Sequence, residues 1–82
     1  MSRVTIYTTG ICPYCVQAKR LLDQRAIPYD EIDVTSEPMR SEMIERAGGR
    51  RTVPQIFIDE RHVGGYAELK ALADAGGLDQ VP

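Results

Sequence analysis

The chain is poor in the residues that most often fix a function at first reading. It contains no tryptophan, one histidine, one phenylalanine and two cysteines in 82 residues. Two thiols and one histidine fall short of the four ligands that structural zinc requires, and His62 lies 47 residues beyond the second cysteine; only a site shared between two chains would rescue that reading. No apolar run approaches the roughly 20 residues needed to cross a bilayer, which excludes a helical membrane span. Charge of one sign is not in excess either. Ten basic and twelve acidic residues are mixed along the chain for a net charge of -2, so there is no electrostatic reason to expect nucleic acid or an anionic membrane as partner. Linkers, internal repeats and low-complexity segments are missing, which points to one domain over residues 1–82. The start, Met1-Ser2-Arg3-Val4, has no long apolar stretch or small-residue cleavage site ahead of its alternating pattern, so the expected compartment is the cytoplasm.

What is present is concentrated in Thr9-Gly10-Ile11-Cys12-Pro13-Tyr14-Cys15-Val16, where both cysteines stand two residues apart. A structural disulfide does not persist readily in a reducing cytosol, and one closing so short a loop constrains the unfolded chain little. The remaining reading is chemical: one thiolate attacks and the other thiol resolves. Val4 and Ile6 alternate with Thr5 and Tyr7, predicting a strand from Arg3 to Thr8. Val16, Ala18, Leu21, Leu22 and Ala26 then recur at helical spacing. Pro13 suits the first helical position, which makes Cys12 the N-cap and places Cys15 one turn in. Unpaired N–H groups and the positive end of the helix dipole favour a thiolate at Cys12, the expected nucleophile. Cys15, on the packed side, is the expected resolving thiol.

Pro28 to Val34 reads as a second strand, followed by a helix capped by Thr35 or Ser36 that carries Met39, Met43, Ile44 and Ala47 on one face and stops at Gly48-Gly49. Gln55–Ile58 and Arg61–Val63 flank an Asp59-Glu60 turn as a hairpin, which Gly64-Gly65 breaks. A last helix from Ala67 to Ala75 buries Leu69 and Leu72, and Leu78 packs back after it. The order βαβαββα predicts an α/β fold with a four-stranded mixed sheet and helices on both faces. His62 reads as a surface strand histidine with no acid–base role.

The "CPYC" motif, "TVPQIFI" from Thr52 to Ile58 and "GG" at Gly64-Gly65 together resemble the small bacterial dithiol glutaredoxins, over nearly the whole chain. The resemblance implies the thioredoxin fold, glutathione as reductant with no metal cofactor, and a monomer that reduces protein disulfides and glutathione mixed disulfides, with ribonucleotide reductase among its candidate protein partners. It implies a cis Val53–Pro54 bond, whose backbone would pair with an extended cysteine-containing peptide such as glutathione. It also implies a glutathione groove walled by Tyr14, bordered by Thr52, Val53 and Pro54, and holding the ligand's carboxylates with Arg50, and with Arg51 beside it, at one end and the Gly65 and Tyr66 backbone at the other. Two positions depart from the family pattern: Ala67, where many relatives carry an acid, and Thr9, where relatives usually carry a lysine. Two other readings stay open, a glutathione-ligated iron–sulfur carrier and a thioredoxin-like donor reduced directly by a flavoprotein.

Overall fold

A computed structural model describes residues 3–78, so the domain expected over 1–82 extends outside the described residues at both ends. The elements follow the expected order: β1 (Val4–Thr8), α1 (Pro13–Gln24), β2 (Tyr29–Asp33), α2 (Met39–Arg46), β3 (Gln55–Ile58), β4 (Arg61–Gly64) and α3 (Tyr66–Asp74). The strands lie in the order β2-β1-β3-β4, with β1 parallel to β2 and antiparallel to β3, and β4 antiparallel to β3. Among the described residues no helix is long and apolar enough to cross a membrane.

Period two in β1 splits the core into two layers. Val4 and Ile6 face one way and meet Ala18 and Leu22 of α1, Ile56 of β3, and Leu69 and Ala73 of α3, with Leu78 closing the layer as expected. Tyr7 faces the other way and packs with Val34, Met43, Ala47 and Phe57 beneath α2. Phe57 is enclosed on several sides: the Tyr7 ring meets it edge-on at 5.7 Å, His62 stacks at 4.8 Å, and the Arg46 guanidinium lies 4.2 Å from its centroid. Arg46 also donates to the Tyr7 hydroxyl at 2.6 Å.

Each helix ends in a paired backbone closure. Ile27 N–H reaches Leu22 C=O at 3.0 Å, Gly49 N–H reaches Ile44 at 2.8 Å, and Gly77 N–H reaches Leu72 at 2.8 Å. Glycines occupy the left-handed position after α2 and α3, at Gly48 and Gly76, but Ala26 holds it after α1 with φ of 56°. This corrects the expected core face of α1. The helix stops at Gln24, so Ala26 turns outward and Ile27 returns to the core in its place. Val16 is likewise exposed, because the buried stripe runs through Cys15, Ala18 and Leu22, about one residue's rotation away.

The start of α2 also differs from expectation. Thr35 and Ser36 do not cap it: Thr35 N–H turns back to the Asp33 carboxylate at 2.7 Å, and the helix begins after Pro38 without a side-chain cap. The Glu37 carboxylate accepts from both the backbone N–H and the hydroxyl of Ser41 instead. Two X–Pro bonds are cis, the expected Val53–Pro54 and an unexpected Glu37–Pro38.

Candidate functional site

The turn from β1 into α1 delivers Cys12 to the end of the two central strands, where β1 finishes and the loop before β3 arrives. Cys12 is extended (φ -156°, ψ 101°) and is the N-cap, and Pro13 takes the first helical position. A proline there forfeits only an N–H that the helix could not have used. The Cys12 sulfur replaces the usual oxygen cap: Cys15 N–H donates to it at 3.1 Å, an interaction that strengthens when the sulfur is a thiolate. On its other side the Cys12 thiol donates to Val53 C=O at 3.7 Å, so the loop before β3 lies directly against the sulfur.

The two thiols, both unbridged, differ sharply in environment. Cys12 is half-buried, whereas Cys15 is 1% exposed. Burial first, and then the hydrogen bond with Cys12, push the Cys15 thiol up to about 12, against a backbone hydrogen bond from Thr9 and the positive charge of Lys19. Such a thiol stays protonated at neutral pH. The accessible sulfur is Cys12.

A cleft opens beside Cys12. Tyr14, Arg50, Thr52, Val53, Pro54, Gly65 and Tyr66, all the expected groove residues, line it together. Arg51 is exposed and outside it. Tyr14 at the start of α1 and Tyr66 at the start of α3 stack across 6.2 Å and form one wall. The loop carrying Thr52 and Val53 is anchored from below by Gln55, a fully buried side chain that the sequence reading passed over: its amide donates to the Thr52 carbonyl at 3.0 Å and hydroxyl at 3.1 Å, and its oxygen meets His62 Nε2 at 2.7 Å. His62 is therefore half-buried rather than on the surface. Burial, and then the charge of Arg50, keep its imidazole below its usual range.

Glu68 supplies an acid next to Ala67, the position where the family's acid is absent. It lines the cleft with Ala67, and its Oε1 accepts from Arg50 at 2.8 Å and from Gly65 N–H at 3.1 Å. The Gly65 N–H, followed by the Arg50 guanidinium, holds its carboxyl below the usual range. Space at this point is tight: a Cβ on Gly64, whose φ is +123°, would stand 2.6 Å from Glu68 Oε1. The carboxylate thus engages two of the groups expected to receive a ligand's carboxylate. Among the described residues, no cluster of three or more His, Cys, Asp or Glu side chains is arranged to hold a metal.

A mixed four-stranded sheet, α1 and α3 against one face and α2 against the other, and a Cys-X-X-Cys pair opening α1 define a thioredoxin-like thiol protein. The Glutaredoxin family model matches residues 4–63. The chain is 48% identical over 80 residues to a glutaredoxin of Neisseria meningitidis serogroup A, covering 96% of this chain and 94% of that one. The solution structure of glutaredoxin from Brucella melitensis superposes with a TM-score of 0.80 at 51% identity, over 94% of this chain and 84% of that one. The crystal structure of a buckwheat glutaredoxin–glutathione complex superposes with a TM-score of 0.83 at 27% identity, over 95% and 74%. The chain belongs to the glutaredoxin family, whose members are thiol–disulfide oxidoreductases.

Proposed function

We propose that this chain is a glutathione-dependent dithiol oxidoreductase of the cytoplasm, acting as a monomer on glutathionylated and disulfide-containing proteins. The observation that carries the reading is the position of the Cys12 sulfur, which caps α1 through Cys15 N–H and touches the Val53 carbonyl at the mouth of the cleft. A peptide lying extended beside Val53 and Pro54 would bring its own sulfur to that point. Kinship with a protein whose structure holds glutathione supports the choice of peptide.

The chemistry follows from the difference between the thiols. The Cys12 thiolate attacks the glutathione sulfur of a mixed disulfide, a Cys12–glutathione disulfide forms, and the substrate leaves as a thiolate that takes a proton from water. A second glutathione thiolate attacks the bound glutathione sulfur, forming glutathione disulfide and restoring Cys12. On a protein disulfide, Cys12 first forms a disulfide with the protein. Cys15 then displaces the protein thiolate by attacking Cys12, and two glutathiones reduce the resulting Cys12–Cys15 bond. Ile11, Tyr14 and Val16, the large apolar residues most exposed among those described, surround Cys12 and suit a protein surface as the larger substrate.

Arg50 and Glu68 tune the groove in opposite directions. Arg50→Ala is expected to raise the KM for a glutathionylated peptide about fivefold with little change in kcat, because it removes a cation and leaves the Glu68 carboxylate facing the ligand's own. Glu68→Gln is expected to lower that KM by roughly twofold to fivefold. Both residues are more than 40% exposed, so each effect corresponds to about 1 kcal/mol or less and fades with added salt. Identical KM values for both variants and the parent at low ionic strength would remove this pair from ligand binding. The commitment of Glu68 to Arg50 also favours a second reading, direct reduction by a flavoprotein, since it leaves Ala67 without a neighbouring acid free for the γ-glutamyl ammonium.

A further inference from the structure

The resolving step asks a thiol in a nearly closed site to become an anion, and the groove offers nothing to help it. The help stands one turn further along α1. Lys19 follows Cys15 by four positions, so the two side chains project from the same face about one turn apart. Lysines usually wander, but this one is held. Its Nζ binds Glu31 Oε2 at 2.9 Å, and the same oxygen accepts from the Thr8 hydroxyl at 2.7 Å. Glu31 is fixed by parallel pairing of β2 with β1, where it lies opposite Ile6, and Thr8 is 2% exposed at the last position of β1. The chain then passes through Thr9, whose backbone hydrogen-bonds to Cys15. The Lys19 side chain is 30% exposed and borders a shallow surface cleft with Val16, Arg20, Asp23 and Tyr29.

We propose that Lys19 is a positioning residue for the resolving thiol: clamped by Glu31 and Thr8 one helical turn beyond Cys15, its ammonium balances the charge that Cys15 acquires as it attacks Cys12. The inference rests on the roles given above to Cys12 and Cys15. In the step itself the Cys15–S bond to Cys12 forms, the Cys12 bond to glutathione breaks, and the proton released from Cys15 is taken up through solvent by the departing glutathione thiolate. Lys19 is unchanged. Its charge lowers the Cys15 thiol against the effect of burial, and the bond to Glu31 chiefly keeps the ammonium protonated. The other groups in play are Cys12 on α1, Glu31 and Tyr29 on β2, and Asp23, which is hydrogen-bonded to Tyr29. Of the β1 and α3 residues packed against this helix, Val4, Ile6, Leu69 and Ala73 are apolar, and Tyr66 stacks on Tyr14 at the helix start. Lys19 is thus the cation acting on the resolving sulfur.

The test separates loading from resolution in single turnover. The reduced full chain is mixed with excess glutathione disulfide, quenched in acid, and followed by mass spectrometry for the Cys12–glutathione adduct and for the internal disulfide that replaces it. Lys19→Met keeps most of the aliphatic stem without the charge, and Lys19→Arg keeps the charge. The expected result is a ratio of resolution rate to loading rate about threefold lower in Lys19→Met, with its rate–pH curve displaced to the alkaline side, and near-parental behaviour in Lys19→Arg. A merely structural ion pair would alter the melting temperature without displacing that curve. A parental ratio and pH curve in Lys19→Met, or equal loss in Lys19→Arg, would overturn the proposal. Failure of the parent to form any Cys12 adduct would instead overturn the assignment of Cys12, and this inference with it.

Discussion

Cys12→Ser is expected to abolish thiol transfer to every substrate, whereas Cys15→Ser keeps the reduction of glutathione mixed disulfides and loses most of its activity on protein disulfides, by about tenfold or more. A serine hydroxyl at position 12 would still accept the Cys15 N–H and cap α1, so the fold survives while the nucleophile disappears. Cys15 itself cannot take over. It is nearly inaccessible, and its thiol is ionised only in traces at neutral pH. The unequal result at Cys15 has a simple cause: a glutathione on Cys12 can be removed by a second glutathione from solution, but a bulky protein is released best by the neighbouring thiol. Because a serine hydroxyl in so enclosed a site carries its own cost, of roughly 1–3 kcal/mol if it finds no partner, Cys15→Ala serves as the control. Parallel assays on a glutathionylated peptide and on a protein disulfide decide the matter. Equal loss of both activities in the two Cys15 variants would show that the division of labour is wrong.

The second large effect concerns the layer under α2. Phe57→Ala is expected to destabilise the protein by about 3–5 kcal/mol, against a total stability of about 5–15 kcal/mol for a domain of ordinary kind. Its ring is 1% exposed and touches Tyr7, His62 and Arg46, so truncation leaves a cavity and strands a guanidinium that now lies over the aromatic face. Denaturant unfolding should show the midpoint falling with little change in slope. Val16→Ala, by contrast, should stay within about 0.5 kcal/mol, since Val16 is half exposed at 49%. A loss below about 1 kcal/mol at Phe57 would mean that the β3 layer repacks freely, and the Gln55 anchor of the Thr52–Val53 loop could no longer be regarded as rigid.

How much of this was legible beforehand depended on whether the cause was local. The alternation of Val4 with Thr5 and Ile6 with Tyr7, the Cys12-Pro13 step, and the glycines after α2 and α3 each act within one turn or one strand, and each was recovered with its element. The groove residues came from a resemblance that the structure accommodates by bringing them around one cleft. What escaped lies between elements. Lys19, Glu31 and Thr8 meet because β2 pairs with β1 in one particular register, and Arg50 meets Glu68 because α3 starts beside the loop before β3. No periodicity records such meetings. The cap of α2 failed for another reason: Thr35 and Ser36 are good cap residues, but the chain still has to pass Pro38, and Glu37 does the work from a position that capping rules do not favour.

The proposed route of electrons runs from glutathione through Cys12. Its most direct test is steady turnover of a small glutathione mixed disulfide with the purified chain, supplied in one arm with glutathione and glutathione reductase and in the other with thioredoxin reductase alone. Turnover is expected to rise with glutathione concentration in the first arm and to stay near background in the second. Turnover sustained by thioredoxin reductase, with no dependence on glutathione, would contradict it.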